Sequence, residues 1–145
     1  MSDYLGVLLA MCVLVSLYDI KMRTISNRLL CLFLLFQVAF LKHEINVESM
    51  FIVFSLGLIV YKFGWIGGGD VKYITVLSLS LPINLIVEAL LLTAFSGVPL
   101  ILVYYVKHKF TPGSRIKDVT LPYGVAISIG FYLSILSYHH QLSHS

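Results

Sequence analysis

The sequence predicts an all-α polytopic membrane protein, with about six transmembrane helices in one bundle. Three observations predict it. Hydrophobic residues make up 59% of the 145 positions and charged residues only 12%, where soluble domains carry roughly 45–50% and about 25%. So little charge cannot cover a water-facing surface of this size, and most of the solvent must be lipid. The apolar residues also fall in long runs instead of alternating. That pattern excludes a barrel and leaves helices, because backbone in lipid must satisfy its own hydrogen bonds. Finally, the basic residues are strongly uneven about those runs. The length allows one domain, 1–145.

The runs follow in order. The first, 4–18, has neither a basic leader before it nor a small-residue cleavage site, so it reads as a retained span and not a removed signal. The second covers 27–41, the third 47–61 and the fourth 71–81. Pro82-Ile83-Asn84 makes a tight break before the fifth, 85–106, and the sixth covers 121–138. Several fall short of the ~20 residues that cross a hydrocarbon core, so flanking Lys and Arg must snorkel or the bilayer must thin. Lys21, Arg23 and Arg28 follow the first run, Lys62 and Lys72 separate the third and fourth, and Lys107, Lys109, Arg115 and Lys117 separate the fifth and sixth. The other side holds only Lys42. By the positive-inside rule both termini lie outside and the three basic connections are cytoplasmic. The basic 107–117 stretch should also attract anionic headgroups. Cys12 and Cys31 lie inside apolar runs without polar partners and read as buried small hydrophobes. His139, His140 and His144 read as a polar tail.

Chemistry rests on few residues. Of seven acidic side chains, Asp3, Glu44, Glu48 and Asp118 fall in termini or connections, and Glu88 sits one turn inside the fifth run. Asp19 and Asp70 instead lie at the cytoplasmic ends of runs, flanked by hydrophobic sequence, where an ionisable group is a functional candidate by default. Each has an ordinary structural alternative. Asp19 could pair with Arg23 one turn on, and Asp70 could cap the fourth helix. Together they say more, because the topology brings both to one membrane face. Two neighbouring carboxylates share a proton. The ionised member then activates water while the protonated member donates to a scissile carbonyl oxygen, with neither metal nor cofactor required. No H-E-x-x-H or G-x-S-x-G pattern offers an alternative. Gly67, Gly68 and Gly69 remove side chains just before Asp70, so that backbone or an unwound substrate strand can approach; close helix packing is the structural alternative.

Gly67-Gly68-Gly69-Asp70 fits the G-x-G-D motif of membrane aspartic proteases, and Gly69-Asp70-Val71-Lys72 resembles the G-D-x-K form of type IV prepilin peptidases. Asp19 followed by Ile25-Ser26-Asn27 is similar to that family's first aspartate motif, with Ser26 where Pro is usual. Leu121-Pro122-Tyr123-Gly124 looks like its late P-[FY]-G element. The resemblance covers nearly the whole chain and is closest to the short, protease-only members that serve Flp-type (tight-adherence) pili. It implies an inner-membrane aspartic endopeptidase that acts at the cytoplasmic face on a prepilin or pseudopilin, removing a short basic leader that ends in Gly and precedes a hydrophobic helix. Archaeal preflagellin peptidases share the same aspartate logic. The N-terminal methyltransferase extension with paired C-x-x-C motifs is not expected. The resemblance makes Asp19 and Asp70 catalytic and puts Gly67, Gly68, Gly69, Lys72, Pro122, Tyr123 and Gly124 near substrate. Lys72 either tunes Asp70 or snorkels to headgroups. The expected partners are the precursor and the lipid bilayer, with no nucleic acid, metal or cofactor.

Two other classes fit parts of this pattern. A small proton-coupled transporter or channel also uses intramembrane Asp residues, but usually with an internal repeat and carboxylates near the midplane. A non-catalytic scaffold would tolerate Asn at both positions.

Overall fold

The computed structural model describes residues 2–41, 45–109 and 122–144. These form six helices: α1 (Ser2–Met22), α2 (Asn27–Leu41), α3 (Val47–Lys62), α4 (Gly68–Ser78), α5 (Ile83–Lys109) and α6 (Tyr123–His144), with no strand among the described residues. Two stretches, Asp3–Met22 and Ile83–Val103, are long and apolar enough to cross a membrane, and Asn27–Leu41 is a shorter apolar helix. Lys42, Glu44, Arg115, Lys117, Asp118 and Leu121 lie outside the described residues.

The helices outrun several of the predicted boundaries. α1 continues one turn past the apolar run, so Asp19 is inside the helix. It ends at Arg23, which adopts a left-handed conformation (φ 53°) and donates its N–H to the Asp19 carbonyl at 2.8 Å. This is a C-terminal cap that usually takes Gly. α4 begins at Gly68 with Gly67 as its N-cap. Asp70 is therefore in the first turn and Gly67 holds the cap position, while the Gly67 backbone N–H at the helix start still interacts with the Asp70 carboxylate. α5 starts at Ile83, directly after Pro82, and stays helical through Pro99. α6 runs through His139 and His140, so the expected polar tail is the end of a helix. His139 is buried, with its ring 5.4 Å from that of Tyr4.

Each helix shows the core one stripe. On α1 the buried residues are Tyr4, Leu8, Cys12, Val15 and Asp19, a three-or-four-residue spacing that puts Asp19 on the inward face. α2 buries Leu30, Phe33, Phe36, Gln37 and Leu41. Cys31 is exposed on the opposite face, against expectation, because an apolar run does not distinguish an inward face from a lipid-facing one. α4, only 11 residues long, is the central element and buries six of them. Large apolar side chains face outward elsewhere, among them Leu35, Phe95 and Val103, a surface that suits lipid and not water.

Polar contacts tie the stripes together. Just past the far end of α4 from Asp70, the Tyr4 hydroxyl donates to Gln37 Oε1 (2.8 Å), and Gln37 Nε2 donates to Ser80 Oγ (2.7 Å). That satisfies a Gln with no exposed surface. α5 and α6 meet through small residues. Ser96 donates to the Ala126 carbonyl at 2.9 Å, and a Cβ on Gly130 would lie 2.6 Å from Thr93 Cα. Backbones this close require Gly. Gly130→Val is expected to cost about 3 kcal/mol through overpacking. A thermal unfolding midpoint in detergent equal to that of the parent protein would refute this.

Candidate active site

The site forms where the end of α1 meets the starts of α4 and α6. Asp19 is 5% exposed, and its Oδ2 accepts a hydrogen bond from the Gly124 N–H at 2.8 Å. The same glycine leaves no room for a side chain, since a Cβ there would sit 2.7 Å from Asp19 Oδ2. Gly124 thus both holds the carboxylate and yields space to it. Asp70 is half-buried and close enough to Asp19 for that charge to act on it. A Cβ on Gly67 would lie 3.0 Å from Asp70 Oδ2, so Gly67 gives the second carboxylate the same clearance.

The remaining glycines pack the motifs on each other. A Cβ on Gly69 would sit 3.4 Å from Ile25 Cβ, and one on Gly68 would sit 3.3 Å from Tyr61 Cε2. Gly69 therefore lets the start of α4 rest on the Ile25-Ser26-Asn27 segment, and Gly68 lets it rest on the end of α3. Lys72 donates to Asn27 Oδ1 at 3.0 Å. That contact joins the start of α2 to α4. Pro122 is buried just before α6, and Val125 N–H bonds its carbonyl at 3.2 Å. Tyr123 lines a cavity of about 270 Å³ with Asp70, Trp65, Ile74 and Thr93. The sequence-derived candidates thus divide: Gly67 and Gly124 touch the carboxylates, Tyr123 borders the cavity, and Gly68, Gly69 and Lys72 set the packing behind it.

Three residues here carry no sequence motif. Tyr73 has no exposed surface, and its hydroxyl shares a 2.8 Å hydrogen bond with Ser128 Oγ. Ser128 lies 2.7 Å from the Gly124 carbonyl, and Ser16 donates to it at 3.0 Å. This network locks α1, α4 and α6 directly behind Gly124. The available signal was spacing, because Ser128 follows Gly124 by one turn, as Tyr73 follows Asp70. Inside such apolar runs, polar side chains at those positions point to a partnered interior face.

The arrangement suits hydrolysis. It offers two carboxylates in mutual electrostatic range, one of them fixed by a backbone amide, and a cavity beside the other. Residues 6–102 match the model of the type IV leader peptidase family. The chain belongs to that family. Searches of curated proteins and of solved structures find no significant match. The match includes both aspartates and stops before α6. It makes the protein a leader-peptidase-type protease acting on pilin-type precursors in general terms, and it favours hydrolysis over the transporter reading. Gly124 lies beyond the matched residues, and its contact with Asp19 is seen in the tertiary structure.

Proposed function

We propose that this peptidase is a membrane-embedded aspartic endopeptidase, with Asp19 and Asp70 as its catalytic pair. Its substrate is a prepilin or pseudopilin whose short basic leader is removed at the cytoplasmic face of the inner membrane. The observation that carries this reading is the convergence of the two carboxylates from α1 and α4, with Asp19 held by the Gly124 amide. One carboxylate, ionised, takes a proton from water as the water attacks the scissile carbonyl. The other, protonated, donates to the carbonyl oxygen, and the tetrahedral intermediate then expels a protonated amine. The Gly124 amide occupies one Asp19 oxygen and leaves the other for water.

All six helices are read as spans. α2, α3 and α4 hold 15, 16 and 11 residues, and at ~1.5 Å per residue they fall short of a ~30 Å core. Snorkelling Lys side chains and a locally thinned bilayer make up the difference and bring water nearer the aspartates. The charge asymmetry puts the Asp19 and Asp70 ends on the cytoplasmic side, where a basic leader would be held. A reporter fused after Ser145 should therefore read as periplasmic, and a cytoplasmic signal would reverse the orientation.

The direct test is co-expression of a tagged precursor, carrying a basic leader that ends in Gly, with wild type, Asp19→Asn or Asp70→Asn. Membrane levels of each variant are checked in parallel. Processing by wild type alone supports the two-aspartate mechanism. Equal processing by all three would sink the catalytic assignment, and no processing by wild type would sink the substrate assignment.

A further inference from the structure

We infer that the groove between α3, α4 and α5 seats the apolar helix of the precursor that follows the scissile bond. This rests on the leader-peptidase reading and adds the path by which substrate reaches Asp70. The groove encloses a cavity of about 340 Å³, and every residue lining it is aliphatic or glycine. Its floor is buried and comes from Val53, Val71, Ile74 and Ile86. Its rim, including Leu56, Val87 and Leu90, is exposed. Gly57 sets one wall, since a Cβ there would lie 2.6 Å from Val71 Cγ1 and would push α3 off α4.

Three features select the occupant. First, the groove runs into the candidate active site: Ile66, Ile74 and Leu90 line both this cavity and the one that contains Asp70. Second, its course fits. It runs along α4 away from Asp70 toward the start of α5 at Ile83, so the helix that follows a bond held at the carboxylate can lie along it with its N-terminal end at Asp70. That end is where a leader is cut, and the leader then extends past Trp65 and Tyr123. Third, its length fits. The α5 side spans residues 83–90, or about 10 Å at the helical rise, enough for roughly two turns of a bound helix. An all-aliphatic lining rejects the polar leader itself, whose groups would lose their hydrogen bonds there. Selection past the cut is therefore for large apolar side chains in the first two turns.

The test places a photo-crosslinking amino acid at Val87, 64% exposed on the rim, or at Leu35, 66% exposed on the outer face of α2. Both are made in the Asp70→Asn protein, in membranes containing the tagged precursor. Adducts with the precursor at Val87 and not at Leu35 are expected. In the protein with both aspartates intact, Ile86→Trp fills the floor and should raise KM at least about tenfold with kcat held, because more than 1.4 kcal/mol of apolar contact is lost. Leu35→Trp should leave both constants unchanged. Equal adducts at the two positions, adducts with lipid only, or an unmoved KM would overturn the groove assignment. Wild-type cleavage of the same precursor, measured alongside, separates the two failures. Cleavage without a Val87 adduct removes only the groove, whereas no cleavage removes the leader-peptidase reading and the groove with it.

Discussion

Replacing both Asp19 and Asp70 with Asn is expected to slow leader removal no more than replacing either one. Each single change should lower the rate by ~10³-fold or more, since it removes either the base or the acid from a shared proton transfer. Residues that act as a unit lose their joint contribution at the first substitution, so the second finds nothing left to remove. Independent residues would instead multiply their effects. The two carboxylates come from α1 and α4, within range of each other's charge. Asn keeps the volume and the Gly124 contact at Asp19, so the fold should hold and membrane levels should match wild type. Single-turnover rates for the four proteins decide the matter, and multiplicative losses would mean that the two side chains do not form one catalytic pair. The wild-type pH profile should also be bell-shaped, because the mechanism needs one proton between two carboxylates. Acid supplies a second proton and alkali removes the only one.

Gly124→Ala is the next largest expected effect. The alanine keeps the N–H that bonds Asp19, so nothing is lost in hydrogen bonding. What changes is space: the new Cβ would fall 2.7 Å from Oδ2, 3.1 Å from Cγ and 3.2 Å from the Asp19 Cβ. Contacts this short force the carboxylate or the start of α6 to move. A displacement of about 1 Å in a reacting group costs on the order of 10²-fold in rate. The loss should appear in kcat with KM nearly unchanged, because Gly124 sits at Asp19 and not along the groove. An equal loss at every step, tracking a drop in protein level, would instead mark Gly124 as a folding residue. Wild-type kcat in Gly124→Ala would show that Asp19 has room to spare.

Much of this peptidase was legible from residue types in order. Scarce charge and unbroken apolar runs predict helices, and the aspartates at the ends of such runs stand out because burying a lone carboxylate in lipid is costly. The glycines before Asp70 signal close approach without naming the neighbour, and only the family resemblance places Gly124 near the site. The structure supplies that neighbour: Gly67 clears Asp70, Gly69 clears Ile25 and Gly124 clears Asp19. Lys72 shows the limit of motif reasoning, because its contact is with Asn27 and runs between helices that sequence order leaves unrelated.

The sequence by itself determined the helical class, the number of runs, the two candidate carboxylates and the family's motif order. These follow from local composition, which the chain carries residue by residue. Only the tertiary structure decided which stripe of each helix turns inward. Where both faces of a helix are apolar, hydrophobicity loses the contrast that marks a core. Packing by small residues and satisfied polar groups takes over. Hence Cys31 faces out and Cys12 in, Gly130 meets Thr93, and Tyr73, Ser16 and Ser128 join behind Gly124. The aliphatic groove that leads to Asp70 belongs to the same class of facts, since it exists only where three helices fail to close on one another.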